Sequence, residues 1–295
     1  MENIEAANHA VLVPTAGRAR VVAGTLLSIC RQDPPPGLVM IVYAEPEDVA
    51  DCQATGDVRL VLMKGRRGQT LQQNDGIGAL PPEIKLVTIL DDDVELAPDY
   101  LANMREMFNQ CPEAVAADGV FIRDGNVGRV EAVGLLAAEG QVRPAVGIRE
   151  GGGLYGADKT ARREILEKVP FDERLRLYSF MEDMDFARRC AKLGRIGTVD
   201  ACRAVHLATS PGRTSERRRG FIQIMNPAYV RRKNLISARE FWVGYVFIFL
   251  RNNSLGMFLI SGQRLLRQKR LGGNLRAMWC VVRGRIEPEL VGEIQ

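Results

Sequence analysis

The 295-residue sequence lacks the features that mark several classes of protein. Its six cysteines are scattered, with no Cys-x-x-Cys pair and no metal-ligand spacing, which indicates reduced thiols of a cytosolic protein rather than a disulfide framework. The first residues are acidic and have no apolar core, so we expect no secretory signal. The 29 glycines follow no repeat period and the charged fraction of 26% is ordinary, which excludes a fibrous or disordered chain.

Long apolar runs are also missing. Residues 241–250 are almost wholly apolar, but Arg251 and two asparagines interrupt the run, and a membrane-spanning helix needs about 20 apolar residues. We therefore expect a surface-lying element there, with aromatic side chains in the membrane surface and arginines facing anionic headgroups. The alternative is a helical appendage whose apolar face packs on the rest of the protein.

The charges are divided unevenly along the chain. Residues 211–295 hold 16 Lys and Arg against 5 Asp and Glu, a net charge of +11, whereas residues 1–210 have a net charge of −7. This asymmetry predicts an acidic body over residues 1–225 and a basic, amphipathic helical tail over residues 226–295. The tail is a candidate for binding phosphates. We expect no nucleic-acid partner, because no recognised nucleic-acid-binding motif is present.

Short apolar runs alternate with helical patterns in the first third of the chain. Runs at residues 10–13, 38–43, 58–63 and 85–90 predict strands, and residues 21–30, 69–79 and 100–110 predict helices. This alternation predicts an α/β fold with a mostly parallel sheet flanked by helices. Beyond it, the pattern predicts short strands and glycine loops over 113–157, helices over 160–168 and 180–193, and a strand pair over 196–207.

Polar residues follow three of the predicted strands, where ligands bind in parallel sheets. They are residues 14–18, Glu45 and the triplet Asp91-Asp92-Asp93. Three adjacent carboxylates repel one another by about 1 kcal/mol per pair in water at ~4 Å, and a hard divalent cation, Mg²⁺ or Mn²⁺, would remove that cost. A solvated acidic turn that caps the next helix is the alternative.

A second acidic cluster, Glu182-Asp183 with Asp185, opens the helix predicted over residues 180–193. The helix dipole favours negative charge in a first turn by ~0.3–1 kcal/mol, which by itself explains the cluster. The other interpretation makes one of these carboxylates a general base for a hydroxyl nucleophile. No Ser-His-Asp or Cys-His arrangement suggests a covalent mechanism. His206, one of two histidines, follows an apolar stretch, a position at which a lone histidine is more often structural.

In this order the motifs resemble the family 2 glycosyltransferases, which have the GT-A fold. The resemblance rests on the first strand with Pro14, Thr15 and Arg18, on residues 73–77, on the aspartate triplet, and on residues 171–173, 182–186, 188–189, Gly194 and His206. It covers about residues 8–240, with a nucleotide-sugar half over about 8–110 and an acceptor half over about 111–225. Gln73 stands where the family usually has arginine, and Glu45 where it usually has aspartate.

The resemblance implies a metal-dependent, inverting glycosyltransferase that moves a sugar from a nucleoside-diphosphate sugar to a hydroxyl acceptor. It implies Asp183 as the base, Asp93 and His206 as metal contacts, and Glu182 with Arg162 or Arg163 near the acceptor. The nucleotide-sugar contacts that it implies are Pro14, Thr15, Arg18, Glu45, Asn74, Asp91 and Asp92. From the basic tail we further expect the acceptor to be a lipid-linked glycan of surface-polysaccharide synthesis. We also expect a cytoplasmic enzyme that is peripheral on the inner face of the cell membrane.

Two other functions fit the sequence less well. A nucleotidyltransferase on a similar sheet would need a glycine-rich basic loop after the first strand, and residues 15–18 are too short for one. A catalytically inactive, membrane-associated scaffold would not need the acidic residues that the chain retains.

Overall fold

The computed structural model describes residues 3–139, 146–151, 153–176, 179–208, 215–256 and 263–294. The chain divides into two compact units: the first is residues 1–171 with 186–210, and the second is residues 172–185 with 211–295. The sheet lies in the first unit, and the last three α-helices lie in the second.

The strands are β1 (His9–Thr15), β2 (Leu38–Tyr43), β3 (Leu60–Lys64), β4 (Leu86–Leu90), β5 (Val94–Leu96), β6 (Ala114–Asp124), β7 (Ile148–Glu150), β8 (Asp158–Arg162) and β9 (Arg195–His206). The helices are α1 (Ala19–Cys30), α2 (Gln69–Ala79), α3 (Tyr100–Gln110), α4 (Arg129–Glu139), α5 (Arg163–Lys168), α6 (Glu182–Cys190), α7 (Glu216–Arg232), α8 (Ile248–Leu255) and α9 (Gln263–Val282). A π-helical segment, Glu240–Phe247, leads into α8, and short 3-10 turns lie at Ala6–Asn8, Pro46–Val49 and Pro288–Glu293.

The strands of the first unit form one sheet in the order β3-β2-β1-β4-β8-β6-β9-β5, with β7 paired to β9. The strands β3, β2, β1 and β4 run parallel to one another, and β6 runs parallel to β9. Buried side chains on β1 alternate between the two faces: Val11 and Val13 belong to one core, and Ala10 and Leu12 to the other. Burial on both faces explains why β1 reads as a continuous apolar run. The predicted fold class is confirmed.

The middle of the chain differs from the prediction. Residues 113–157 include the eleven-residue strand β6 and the helix α4, where short strands and glycine loops were expected. The helix predicted from residue 160 is β8 up to Arg162 and becomes α5 only at Arg163. The strand pair predicted over residues 196–207 is the single strand β9. β8 also runs antiparallel to both β4 and β6, a direction that no local pattern encodes.

The second unit has its own apolar core, in which α7 and α9 pack closely together. A Cβ on Gly220 would lie 1.9 Å from the Arg270 carbonyl oxygen, and one on Gly273 would lie 2.0 Å from the Arg217 carbonyl oxygen. Since neither contact is tolerable, the two helices approach this closely only with glycine at both positions. Asn274 Nδ2 donates to the Gly220 carbonyl at 2.7 Å inside the contact. Among the described residues, no helix has the length and apolar character that crossing a membrane requires.

Candidate active site

The carboxyl ends of β1 and β4 lie side by side at one edge of the sheet. The two strands are parallel, with Leu12 opposite Ile89, so the residues that follow them emerge together. Thr15 Oγ1 donates to the Asp92 carboxylate at 2.6 Å, and Thr25 Oγ1 donates to the Asp92 carbonyl at 2.7 Å. Asp92 is therefore held through both its side chain and its backbone, and it is almost completely buried.

Arg18, just before α1, joins two carboxylates of the triplet. Its Nε donates to Asp92 at 3.0 Å and its Nη1 donates to Asp93 at 2.9 Å, while Nη2 also contacts Asp92. The guanidinium thus forms a bidentate ion pair with Asp92 and a third bond to Asp93. The positive charge of Arg18 reduces the repulsion that is expected among three adjacent aspartates.

Burial raises the pKa values of two aspartates of the triplet. It raises the pKa of Asp92 to about 6, although the positive charge of Arg18 and the Thr15 hydrogen bond oppose the rise. Burial also raises the pKa of Asp91, and the nearby positive charge of Lys159 partly opposes it. Carboxylates with raised pKa values are poised to gain from an additional positive charge.

His206, at the end of β9, lies between two carboxylates. Its Nε2 is 3.2 Å from Asp93 Oδ1 and its Nδ1 is 2.8 Å from Asp124 Oδ1. Burial by itself would lower the pKa of His206, but the hydrogen bonds to Asp93 and Asp124 outweigh it and raise the pKa to about 9. The histidine is therefore part of the acidic cluster and not an isolated core residue.

Asp91, Asp93 and His206 together could hold a metal ion. One ligand atom from each lies within 4.8 Å of the others. Two carboxylate oxygens suit hard cations such as Mg²⁺ and Mn²⁺, and a neutral imidazole adds a nitrogen ligand. The donor set therefore fits the ion that the sequence predicts, with Asp91 as a ligand in addition to Asp93 and His206.

Two other predicted nucleotide contacts lie beside β1 and β2. Pro14 is the second-last residue of β1, and Glu45 follows β2 with an exposed side chain that caps the turn Pro46–Val49. Between these loops lies the buried Asp48, which the sequence reasoning missed. Asp48 accepts hydrogen bonds from the backbone N–H groups of Gly17 and Glu45, the latter at 2.9 Å. It therefore ties together the loops that follow β1 and β2.

Asn74, predicted as a nucleotide contact, bonds to the backbone of Phe171 in both directions. Its Nδ2 donates to the Phe171 carbonyl at 2.9 Å, and its Oδ1 accepts from the Phe171 N–H at 2.9 Å. These bonds give the side chain a structural role, tying α2 to a segment 97 residues away. A nucleotide contact of Asn74 stays a prediction.

The structure does not bring Arg162 and Arg163 to the aspartate cluster. Arg162 lies opposite Leu86 and Asp158 lies opposite Leu90, so the arginines are at the other end of β4, about 13 Å along the strand. Arg162 donates to the carbonyls of Ala114 at 2.9 Å and Phe108 at 2.8 Å. Arg162 therefore ties the end of α3 to the start of β6, and a place near the acceptor for Arg162 or Arg163 stays a prediction.

Three residues that sequence reasoning missed surround the cluster. Gln69 Nε2 is 3.3 Å from Asp91 Oδ1, and the Tyr155 hydroxyl is 3.4 Å from His206 Nδ1. Lys159 is buried on β8, donates to the Gly156 carbonyl at 2.5 Å and lies over the Phe171 ring. Residues 158–162 are mostly polar and give no sequence signal for Lys159, whose place beside Asp91 depends on the pairing of β8 with β4.

In the second unit, the acidic residues at the start of α6 have different environments. Asp185 is fully buried and forms an ion pair with Lys233, which also bonds to Asp172 at 2.8 Å. Asp183 is half-buried, and its Oδ1 accepts from the Met184 N–H at 2.7 Å. Asp185 is thus committed to a structural ion pair, whereas Asp183 keeps contact with solvent.

The chain resembles known proteins in sequence profile and in fold. The profile described as Glycosyl transferase family 2 matches residues 10–169. A mannosyltransferase of Pyrobaculum calidifontis, PcManGT, solved in complex with GDP-Man and Mn²⁺, is 16% identical with a TM-score of 0.56, over 92% of this chain and 87% of that one. Residues 1–349 of S. aureus TarS are 13% identical with a TM-score of 0.50, over 94% and 92%. No curated protein sequence matches significantly.

Proposed function

Because this chain belongs to glycosyl transferase family 2 and is therefore a glycosyltransferase, we propose that it transfers a sugar from a nucleoside-diphosphate sugar to a hydroxyl acceptor, with inversion at the anomeric carbon. The observation that carries the proposal is the cluster of Thr15, Arg18, Asp91, Asp92, Asp93 and His206 at the carboxyl edge of parallel strands. Ligands of open α/β sheets bind at that edge.

On the donor side, Asp91, Asp93 and His206 would hold Mg²⁺ or Mn²⁺. When bound, such an ion supplies Lewis-acid stabilisation of the charge on a departing diphosphate. Asp92, fixed by Thr15, would contact the ribose, with Pro14 and Glu45 beside the base. The fold neighbour PcManGT, solved in complex with GDP-Man and Mn²⁺, supports a nucleoside-diphosphate sugar and a divalent cation as the expectation for the present chain.

On the acceptor side, we assign Asp183 as the base that takes the hydroxyl proton, with Glu182 beside it. The family resemblance implies this role, and the side-chain environments agree with it: Asp183 is half-buried, whereas Asp185 is fully buried in its ion pair with Lys233. Just before α6, Ser179 and Met181 have positive φ angles of 51° and 75° although neither is a glycine. Such left-handed backbone costs of order 1–3 kcal/mol per residue and is concentrated at functional sites.

The test is transfer and hydrolysis measured on a panel of labelled nucleoside-diphosphate sugars with Mn²⁺ and with EDTA. We expect turnover of at least one donor, lost in EDTA. Asp183→Asn should reduce transfer by about 10²-fold or more, the usual contribution of a general base, while nucleotide affinity stays near wild type. Asp57→Asn, which alters an exposed carboxylate, is the matched control. Loss of nucleotide affinity in Asp183→Asn would overturn its assignment.

We also propose a lipid-linked acceptor reached at an anionic membrane surface. The support is a set of apolar side chains that the second unit leaves exposed: Trp242 is 47% exposed, Phe247 is 57% and Trp279 is 53%. Arginines cover two of these rings, with Arg283 4.0 Å from the Trp279 ring centre and Arg251 5.8 Å from that of Phe247. Aromatic rings beside arginines suit the boundary between acyl chains and anionic headgroups.

Vesicle sedimentation tests the membrane proposal. We expect binding to vesicles that contain phosphatidylglycerol and little binding to pure phosphatidylcholine. Arg251→Gln and Arg283→Gln should each weaken binding about fivefold, as removal of ~1 kcal/mol per basic residue predicts. Arg59→Gln, on an exposed arginine of the first unit, should have no effect. Equal binding of wild-type protein to both vesicle types would contradict the proposal.

A further inference from the structure

We propose that Asp124 is a positioning residue for the metal site: it fixes the His206 imidazole so that Nε2 is the ligand nitrogen. The inference rests on the proposed cation site and extends it to a residue outside the ligand set. Asp124 Oδ1 is 2.8 Å from His206 Nδ1, and on the other side of the ring Nε2 is 3.2 Å from Asp93 Oδ1. In the neutral imidazole that a metal ion requires, a hydrogen atom on Nδ1 that donates to Asp124 leaves the lone pair of Nε2 facing Asp91 and Asp93.

The strand register places Asp124 beside His206. β6 and β9 are parallel, but the register shifts between Gly119 and Val120 and again between Phe121 and Arg123. After these irregularities Asp124 lies directly opposite His206, and the Gly125 N–H donates to the His206 carbonyl at 2.8 Å. The bulges thus align the last residue of β6 with the last residue of β9, a use of bulges to re-aim side chains.

Two aromatic rings restrict the imidazole plane as well. The rings of Phe121 and Tyr155 each meet the His206 ring edge to face, with centroids 6.2 Å apart. The Tyr155 hydroxyl is 3.4 Å from Nδ1, longer than the 2.8 Å to Asp124. Asp124 is therefore the stronger partner of Nδ1, and the aromatic rings maintain the orientation that the hydrogen bond selects.

A carboxylate that accepts a hydrogen bond from the non-ligating nitrogen of a metal-binding histidine increases the affinity for the metal. Removing such a partner typically weakens metal binding 10- to 100-fold, because it fixes the tautomer and makes the ligand nitrogen more basic. The Asp124 side chain is 58% exposed, so water competes for its hydrogen bond. We therefore expect a loss near the lower end, about tenfold.

The experiment measures Mn²⁺ affinity by electron paramagnetic resonance, without donor or acceptor. Asp124→Ala should bind Mn²⁺ about tenfold more weakly than wild type. Asp124→Asn keeps an acceptor oxygen and should stay within about threefold. Asp200→Ala removes another exposed carboxylate, on β9, which pairs with Arg149 of β7, and should match wild type.

A spectroscopic readout separates positioning from a general structural effect. The sequence has two histidines, so ¹⁵N-histidine labelling gives two sets of signals, and buried His9, bonded to Thr88, is an internal reference. With Mg²⁺ bound, wild-type His206 should carry its hydrogen on Nδ1, and Asp124→Ala should show a tautomer mixture while His9 is unchanged.

The outcomes distinguish the two proposals. If wild-type protein takes up neither Mn²⁺ nor Mg²⁺, the cation site is wrong and the role of Asp124 fails with it. If wild type binds the ion but Asp124→Ala binds it within twofold and shows the same His206 signals, only the positioning role is overturned. Weaker binding with an unchanged tautomer would also reject positioning, since it would point to simple charge attraction.

Discussion

Replacing Arg18 with methionine should destabilise the protein by about 3 kcal/mol at pH 7.5 in EDTA, since breaking a buried ion pair costs about 3–5 kcal/mol. The guanidinium is 19% exposed, whereas the Asp92 and Asp93 side chains are 2% and 3% exposed. We take the lower end of that range because Arg18 keeps some contact with solvent and because Asp92 can respond by binding a proton.

The cost should depend on pH in a defined direction. Asp92 has a pKa of about 6 with Arg18 in place, so it is charged at pH 7.5 and mostly neutral at pH 5. The pair is already weakened at the lower pH, and the substitution should therefore cost less there. The assay is urea unfolding of wild type and variant at both pH values, in EDTA so that no cation replaces the guanidinium.

A second arginine provides the matched control. Arg31 also pairs with a buried carboxylate, Glu95, but its own side chain is 59% exposed and Arg129 bonds to the same carboxylate. Arg31→Met should therefore cost less than about 1 kcal/mol, as exposed pairs usually do. The reasoning is refuted if Arg18→Met costs less than 1 kcal/mol at pH 7.5, or costs the same at both pH values.

Three further changes test the same physics elsewhere. Burial raises the pKa of Asp158 to about 7, so the folded protein binds that proton more tightly than the unfolded chain does. The protein should therefore lose stability as the pH rises from ~4 to ~7, by up to ~1.4 kcal/mol per pH unit. Melting temperatures should show that Asp158→Asn lacks this loss and is more stable than wild type at pH 8. Lys233→Met removes the ion pair between Lys233 and the fully buried Asp185, and chemical unfolding should show a loss of about 3–5 kcal/mol. A loss below 1 kcal/mol would contradict the assigned burial. On α2, a Cβ at Gly76 would lie 2.3 Å from a leucine of β1, whereas a Cβ at Gly78 would meet nothing within 4 Å. Thermal melts should therefore find Gly76→Ala destabilising by about 1–3 kcal/mol and Gly78→Ala stabilising by up to ~1 kcal/mol. Equal shifts in the two variants would refute the packing argument.

The class of fold, and the edge of the sheet where the site lies, could be predicted from the amino-acid sequence. Apolar runs followed by polar clusters identify buried parallel strands and the residues at their carboxyl ends, because both signals are local and periodic. Thr15, Arg18 and the aspartate triplet were predicted to share a site for this reason, and the hydrogen bond from Thr15 to Asp92 and the bonds of Arg18 bring them together.

The residues that reach the site from other strands could not be predicted in this way, because their positions depend on how distant strands pair. The antiparallel direction of β8 puts Lys159 beside the triplet and Arg162 at the far end of β4. The irregular pairing of β6 with β9 puts Asp124 behind His206. Strand direction and register arise from contacts between segments that are distant in sequence, and a register change of one residue reverses which face a side chain occupies. No local pattern carries that information.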